Sequence, residues 1–252
     1  MIESIAELHA ENKIYPEDLL RKNANHHIIK YLERYAETNY LAEIYHNYLS
    51  NYRLNLIDTG IRPEENTRMS GKIARSVDLP FIGKRVVDKN KPTFMIIFNG
   101  SLQKEKKLSV TVLSCFWLFE NAFNRHEAMI KDYWNERSFK LMIDNLKITP
   151  KIAQHSYIVD AFRISNGAKT DTGANRERNQ KLLIREAEII KPDFVLQVGT
   201  TTSDIVRDSL KEKGFIVDFV NFPSIQNESE IPNYQPDYKR ISLTFNELLE
   251  KY

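Results

Sequence analysis

Between residues 155 and 220, short β-branched runs alternate with longer amphipathic segments, and this alternation restricts the fold more than any other feature of the chain. His155-Ser-Tyr-Ile-Val-Asp160 reads as a strand, and a loop of Gly, Thr, Asp and Asn leads from it to a helix through Lys181-Leu-Leu-Ile-Arg-Glu-Ala-Glu-Ile-Ile190. Lys191-Pro192-Asp193 ends that helix, since proline has no N–H to continue the ladder. Phe194-Val-Leu-Gln-Val198 is then a buried strand closed by Gly199. Thr202 or Ser203 is expected to cap the next helix, whose Ile205, Val206 and Leu210 form an apolar stripe, and Gly214 ends it. Phe215-Ile-Val-Asp-Phe-Val220 is a further strand. Strands separated by single helices require crossover connections, hence a parallel sheet covered on both faces. Ligands of such sheets bind beyond the carboxyl ends of the strands.

Upstream the pattern is less regular. Residues 17–50 read as helical, with Ile29, Leu32, Tyr35, Leu41, Ile44 and Tyr48 at mixed three and four spacing. Arg53-Leu-Asn-Leu-Ile-Asp-Thr-Gly60 is the expected first strand, followed by a polar loop that ends in Leu79-Pro-Phe-Ile-Gly83. Phe94 to Phe98 and Leu108 to Leu113 are two apolar runs separated by Asn99-Gly100 and a lysine-rich stretch, the pattern of an antiparallel hairpin. Helical signal returns from about Phe116 to Asn145. The expectation is one domain over residues 1–252, with N-terminal helices over 1–50 and an insertion over 88–137. Four strand exits then define the site: Gly60 onward, Asp160 onward, Gly199 onward, and Asn221-Phe222-Pro223-Ser224.

Composition excludes more than it assigns. A chain of 252 residues that is 42% hydrophobic can bury one substantial core. The net charge of +2 produces no global field for or against nucleic acid, because a local basic groove suffices. The lone Cys115 rules out an intrachain disulfide, a Cys₄ zinc site and a cysteine-held iron–sulfur cluster. Met1 to Leu20 carries acidic groups throughout and no apolar run, unlike a secretory signal. No stretch approaches the ~20 apolar residues of a membrane span. A cytoplasmic protein with no membrane partner is expected.

The four exits resemble the uracil-DNA glycosylase superfamily in order and content. Its first motif, a strand followed by Gly-x-(Asn/Asp/Ala)-Pro-(Gly/Tyr) and later Pro-Phe-(Val/Gly)-Gly, is similar to Gly60-Ile61-Arg62-Pro63-Glu64 with Leu79-Pro80-Phe81-Ile82-Gly83. Its second strand, roughly Val-Tyr-Ile-Thr-Asn-Leu-Val-Lys, resembles Tyr157-Ile-Val-Asp160-Ala-Phe-Arg163. The helix, Lys-Pro, strand and Gly run over Ile189 to Gly199 is similar to the third motif, and Phe222-Pro223-Ser224 to the closing His-Pro-Ser or Asn-Pro-Ser loop. Phe98-Asn99-Gly100-Ser101 is a second candidate for the first motif; it lacks a following Pro-Phe-x-Gly and sits in the hairpin pattern, so it ranks behind Gly60. The likeness covers about residues 40–87 and 138–249. It implies an α/β fold, a three-layer αβα arrangement around a central parallel four-stranded sheet, plus the inserted hairpin and helical segment. The implied activity is that of a monofunctional DNA glycosylase without cofactor.

Such an enzyme rotates its base out of the stack into a pocket that reads the Watson–Crick edge. It steadies positive charge on the sugar and negative charge on the departing base. Phe81 stands at the family's stacking position, or is a core phenylalanine beside a turn. Asp160 stands where most members place the Asn that reads uracil. A carboxylate only accepts, so it opposes uracil O4 and suits the N4 amino group of cytosine. The alternative is that Asp160 caps the following loop or pairs with Arg163. Ile61 and Arg62 occupy the slots of the family's water-activating residue, leaving Asp58, Glu64 and Glu65 as candidate catalytic carboxylates, with Arg62 on a phosphate or base oxygen. Glu64 leaves room for a 5-substituent; the alternative is a solvated charged loop. Phe222 replaces the donor to base O2, for which Asn221 is the candidate substitute.

Pro63, Lys84, Arg163 and Ser224 are the expected DNA-binding positions, and Ile225 or Gln226 the wedge that fills the gap left by the flipped nucleotide. Arg85, Lys89 and Lys91 continue the basic run after Phe81, and a charge run of this kind is usually a solvated face. His26, His27, His46, His126 and His155 show no metal-ligand spacing, so no metal is expected. The substrate expected is DNA carrying cytosine or a 5-modified cytosine, including hypermodified phage cytosine in a defence role. Ordinary uracil repair, a DNA-binding module that no longer cuts, and an α/β hydrolase of free nucleosides are the alternatives.

Overall fold

The computed structural model describes residues 1–12, 76–77, 80–87, 90–98, 145–161, 164–165, 173–221 and 229–251. The elements are α1 (Ile2–Glu11), β1 (Ser76–Val77), β2 (Phe81–Ile82), a 3-10 turn (Lys84–Val87), β3 (Phe94–Phe98), α2 (Pro150–Gln154), β4 (Ser156–Asp160), β5 (Ile164–Ser165), α3 (Gly173–Ile190), β6 (Phe194–Val198), α4 (Thr200–Glu212), β7 (Val217–Val220) and α5 (Ile231–Glu250). The helical expectation over 17–50, the strand at 53–60, the run at 108–113 and the helix from 116 lie outside the described residues.

The main sheet has the order β2-β4-β3-β6-β7. β3 pairs in parallel with both β4 and β6, and β7 is parallel to β6, so four strands run one way. The two-residue β2 adds an antiparallel edge to β4. β1 and β5 form a separate antiparallel pair.

One expectation is overturned here. Phe94–Phe98 is the centre of the parallel sheet, not an arm of an inserted hairpin. Both of its edges are occupied, so no edge remains for a hairpin partner at 108–113. All five residues are buried, which is what an unbroken Phe-Met-Ile-Ile-Phe run gives when helices or chain cover both faces.

Side-chain alternation divides the interior in two. On one face Met95, Ile97, Tyr157, Val159 and Val195 pack with Ile5, Ala6 and Leu8 of α1, Leu182, Leu183 and Ala187 of α3, and Val206 and Leu210 of α4. On the other, Phe94, Ile96, Phe98, Ile158, Leu196 and Val198 pack with Ile152 and Ala153 of α2 and Tyr238, Ile241 and Phe245 of α5. The Phe245 ring meets those of Phe94 and Phe194 edge-on, with centroids 4.9 and 5.4 Å apart.

Gly83 fixes where β2 ends. Its N–H donates to the Ser156 carbonyl at 2.9 Å, and a Cβ there would fall within 3 Å of the Ala153 and Gln154 carbonyl oxygens, which are backbone and have nowhere to go. The glycine therefore lets the chain slide under α2 towards the amino ends of the strands.

Candidate functional site

In a sheet of this order the chain leaves β3 first for β4 on one side and later returns to β6 on the other. The switch point lies between β3 and β6, and the crevice beyond their carboxyl ends is where ligands of such sheets bind. Cross-strand register places the last residues of the four parallel strands in one row: Asp160 opposite Phe98, Phe98 opposite Val198, and Val198 opposite Val220. Backbone bonds tie the exits together, from Ala161 N–H to the Phe98 carbonyl at 2.6 Å and from Gly199 N–H to the Val220 carbonyl at 2.9 Å.

Asp160 closes β4 and is 0% exposed. Its neighbour in the row is Phe98, the strand end that leads into Asn99-Gly100-Ser101. On the other side of β4, the Phe81 backbone pairs with Ile158, two positions short of Asp160. Phe81 and Asp160 thus lie on adjacent strands, about 7 Å apart along the strand direction.

Gly199 has φ 101°, a left-handed conformation that a side chain resists. That single residue turns β6 straight into α4, which begins at Thr200. Thr202 and Ser203, expected as caps, therefore sit inside the helix, because the glycine turn starts it earlier. Among the described residues no side chain caps α4 and its first turn has no acidic residue, so its N–H groups and the positive end of its dipole stand at the switch point.

Asn221 follows β7 and its carbonyl accepts from the Tyr238 hydroxyl at 3.3 Å. Burial first, then the charges of Tyr234 and Asp237, push the Tyr238 phenol up to about 12, so it remains a donor at every physiological pH. Asn221 and Asp160 are three strand intervals apart, about 14 Å, more than one base can bridge. The structure thus brings Asp160, Phe98, Gly199 and the Phe81 strand together and leaves Asn221 at the far end of the row.

Lys84 falls elsewhere. β2 runs antiparallel to β4, so the chain after Gly83 arrives at the amino ends of the strands, where the 3-10 turn carrying Lys84 packs beside α2. Lys84, expected to bind DNA, therefore lies at the end of the sheet opposite the strand exits. Asp58, Arg62, Pro63, Glu64, Glu65, Arg163, Phe222, Ser224, Ile225 and Gln226 lie outside the described residues.

Two features escaped the sequence. Gln197, the penultimate residue of β6, is 0% exposed, and neither of its amide atoms has a hydrogen-bond partner among the described residues. It shares the face of Val195, beneath α4, level with Ile97 and Phe219. A buried amide left unsatisfied costs ~1–3 kcal/mol, so Gln197→Met, of similar volume, is expected to stabilise the fold by about that amount. Urea unfolding of the two proteins measures it, and a destabilised variant contradicts it.

The second feature is a cluster of His9, Tyr157 and Glu186, each 0% exposed. The Tyr157 hydroxyl donates to Glu186 Oε1 at 2.7 Å, and His9 Nε2 is hydrogen-bonded to the same oxygen. Tyr157 is near the amino end of β4, so the cluster is remote from the carboxyl edge. A signal was available: Glu186 lies four residues from both Leu182 and Ile190, on the buried stripe of α3, where a carboxylate needs a partner.

His155 is also buried, and its Nδ1–H donates to the Pro92 carbonyl at 2.8 Å. Burial, and then the charges of Arg85, Lys151 and Lys91, lower its pKa against the opposing effect of that hydrogen bond. The unfolded chain takes up this proton near pH ~6.5 whereas the folded chain resists it, so stability should fall as pH drops below that value. His155→Asn keeps an N–H donor without the titration, and its unfolding free energy should vary less between about pH 7 and 5 than that of the parent. Equal slopes in urea titrations at several pH values contradict this assignment.

Among the described residues no group of three or more His, Cys, Asp or Glu side chains is placed to hold a metal ion. No helix among them is long and apolar enough to cross a membrane. No protein-family model matches the chain, and no curated protein matches it.

Proposed function

We propose that this protein is a monofunctional DNA glycosylase with the three-layer fold of the uracil-DNA glycosylase superfamily, hydrolysing the base–sugar bond of cytosine or a 5-modified cytosine. The observation that carries the reading is the position of Asp160: fully buried, last in its strand, one strand from the switch point. The two separate cores, one on each face of the parallel strands, support the three-layer arrangement.

In this reading the everted base enters the carboxyl edge beside Asp160, whose carboxylate accepts from the N4 amino group. Phe81, on the adjoining edge strand, is the stacking candidate. The uncapped start of α4 offers N–H donors to the negative charge of a phosphate or of the departing base. β3 is the central strand and its last residue, Phe98, lies opposite Asp160. Asn99 and Ser101 therefore join Asp58, Arg62, Glu64 and Glu65 as candidates for holding water and steadying the sugar cation. The 14 Å offset of Asn221 makes it a phosphate-side or sugar-side candidate before a base reader. Removal of hypermodified phage cytosine gives this chemistry a defence role.

The test is incubation with oligonucleotides carrying cytosine, 5-hydroxymethylcytosine, its glucoside or uracil, followed by alkaline cleavage of abasic sites. Cleavage at one of the cytosine-type bases is expected. Cleavage at uracil alone overturns the substrate assignment, and tight DNA binding without cleavage of any substrate overturns the enzyme.

A further inference from the structure

The end of the sheet opposite the candidate site carries a basic cluster that this chemistry does not use. Three segments meet there. Gly83 is held against α2 by its bond to Ser156 and by the close approach of the Ala153 and Gln154 carbonyls, which positions Arg85 in the next turn. His155, directly after α2, donates to the Pro92 carbonyl at 2.8 Å and so pins the Lys91-Pro92 strand entry beside Lys151. Phe94 N–H donates to the His155 carbonyl at 2.8 Å and closes the ring of contacts. Arg85 and Lys151 are exposed and Lys91 half-buried. Among the described residues, the charges of these three cations act on the His155 imidazole. Asp193, at the start of β6, is engaged by the Thr93 N–H at 2.8 Å.

We propose that this amino edge, where Arg85, Lys91 and Lys151 converge around His155, is a second nucleic-acid contact surface that grips the phosphate backbone away from the segment presented to the carboxyl edge. Cations carried by separate segments whose backbones are bonded together suit the phosphate backbone, which needs charge and no base readout. An anionic membrane is the poorer fit, since interfacial binding adds apolar anchors to the basic face. The strongly exposed large apolar side chains among the described residues are Leu243 on α5 and Ile216, which precedes β7 at the amino edge with β3 and β6 between it and the strand that His155 leads into. The inference shares with the proposed function a nucleic-acid partner, but it does not require base release.

The probe is therefore an unmodified 30-base-pair duplex, titrated at several salt concentrations. Arg85→Gln/Lys91→Gln/Lys151→Gln removes the three charges, leaves polar side chains in their place and is expected to flatten the slope of log K against log salt by ~2–3 units, as loss of three phosphate contacts requires. A control, Lys181→Gln/Lys211→Gln/Lys239→Gln, removes the same charge from exposed lysines elsewhere and is expected to leave most of the slope intact. On the unmutated protein, the duplex should protect Lys91 and Lys151 from acetylation. An unchanged slope, an equal loss in the control, or unprotected lysines overturns the proposal. So does loss of binding to phosphatidylserine-containing vesicles while duplex binding is retained. Should the duplex bind with the expected slope while no oligonucleotide is cleaved, this surface stands and the glycosylase reading fails.

Discussion

Glu186→Ala is expected to destabilise the protein by ~3–5 kcal/mol, a large share of the ~5–15 kcal/mol that holds a typical domain folded. Glu186 joins three elements that are distant in sequence: α1 through His9, β4 through Tyr157, and its own α3. All three side chains are fully buried, so removing the carboxylate takes away an acceptor that both the imidazole and the phenol use and leaves a cavity in its place. The loss falls most directly on α1, whose Ile5, Ala6 and Leu8 lie in the same cluster. Replacing the whole trio by His9→Met/Tyr157→Phe/Glu186→Leu should recover part of the loss, because an apolar set of similar volume removes the imidazole and phenol together with the carboxylate they share. Urea unfolding of the single and triple variants decides the matter. A single variant within ~1 kcal/mol of the parent removes the cluster from any account of stability.

Asp160→Asn is expected to lower kcat/KM on the proposed cytosine-type substrate by ~10²–10⁴-fold and to raise the relative rate on uracil. A hydrogen bond to a charged acceptor contributes ~1.5–3 kcal/mol, and the new amide sets a donor against the N4 donor at a further ~1–3 kcal/mol. Each ~1.4 kcal/mol is a factor of ten in rate. The asparagine can instead satisfy both O4 and N3–H of uracil. The measurement is base release from matched oligonucleotides differing only at the target base, with circular dichroism to verify the fold. A variant that keeps the parent's ratio of cytosine to uracil cleavage shows that Asp160 reads no base and leaves it a role in the strand end alone.

The second half of the chain was legible because its punctuation is local. Pro192 and a left-handed Lys191 stop α3, Gly214 follows the end of α4, and apolar spacing separates α3 and α4 from β4, β6 and β7. The same logic places Asp160 at a carboxyl end, since a short strand followed by a loop has only one exit. Phe94–Phe98 was legible as a strand and illegible as the central one. An unbroken apolar run carries no alternation, so nothing within it says which neighbours it takes, and Asn99-Gly100 imitates a hairpin turn.

Periodicity, glycine and proline by themselves determined that this is an α/β protein and where most of its later elements begin and end. Only tertiary structure decided that β3 lies between β4 and β6, which moves the centre of the candidate site to the exit after Phe98. It also decided that Lys84 and its basic neighbours occupy the amino edge, and that His9, Tyr157 and Glu186 meet. Pairing of strands and burial of charges are contacts between residues far apart in the chain, and their free energy depends on neighbours that no local stretch of sequence contains.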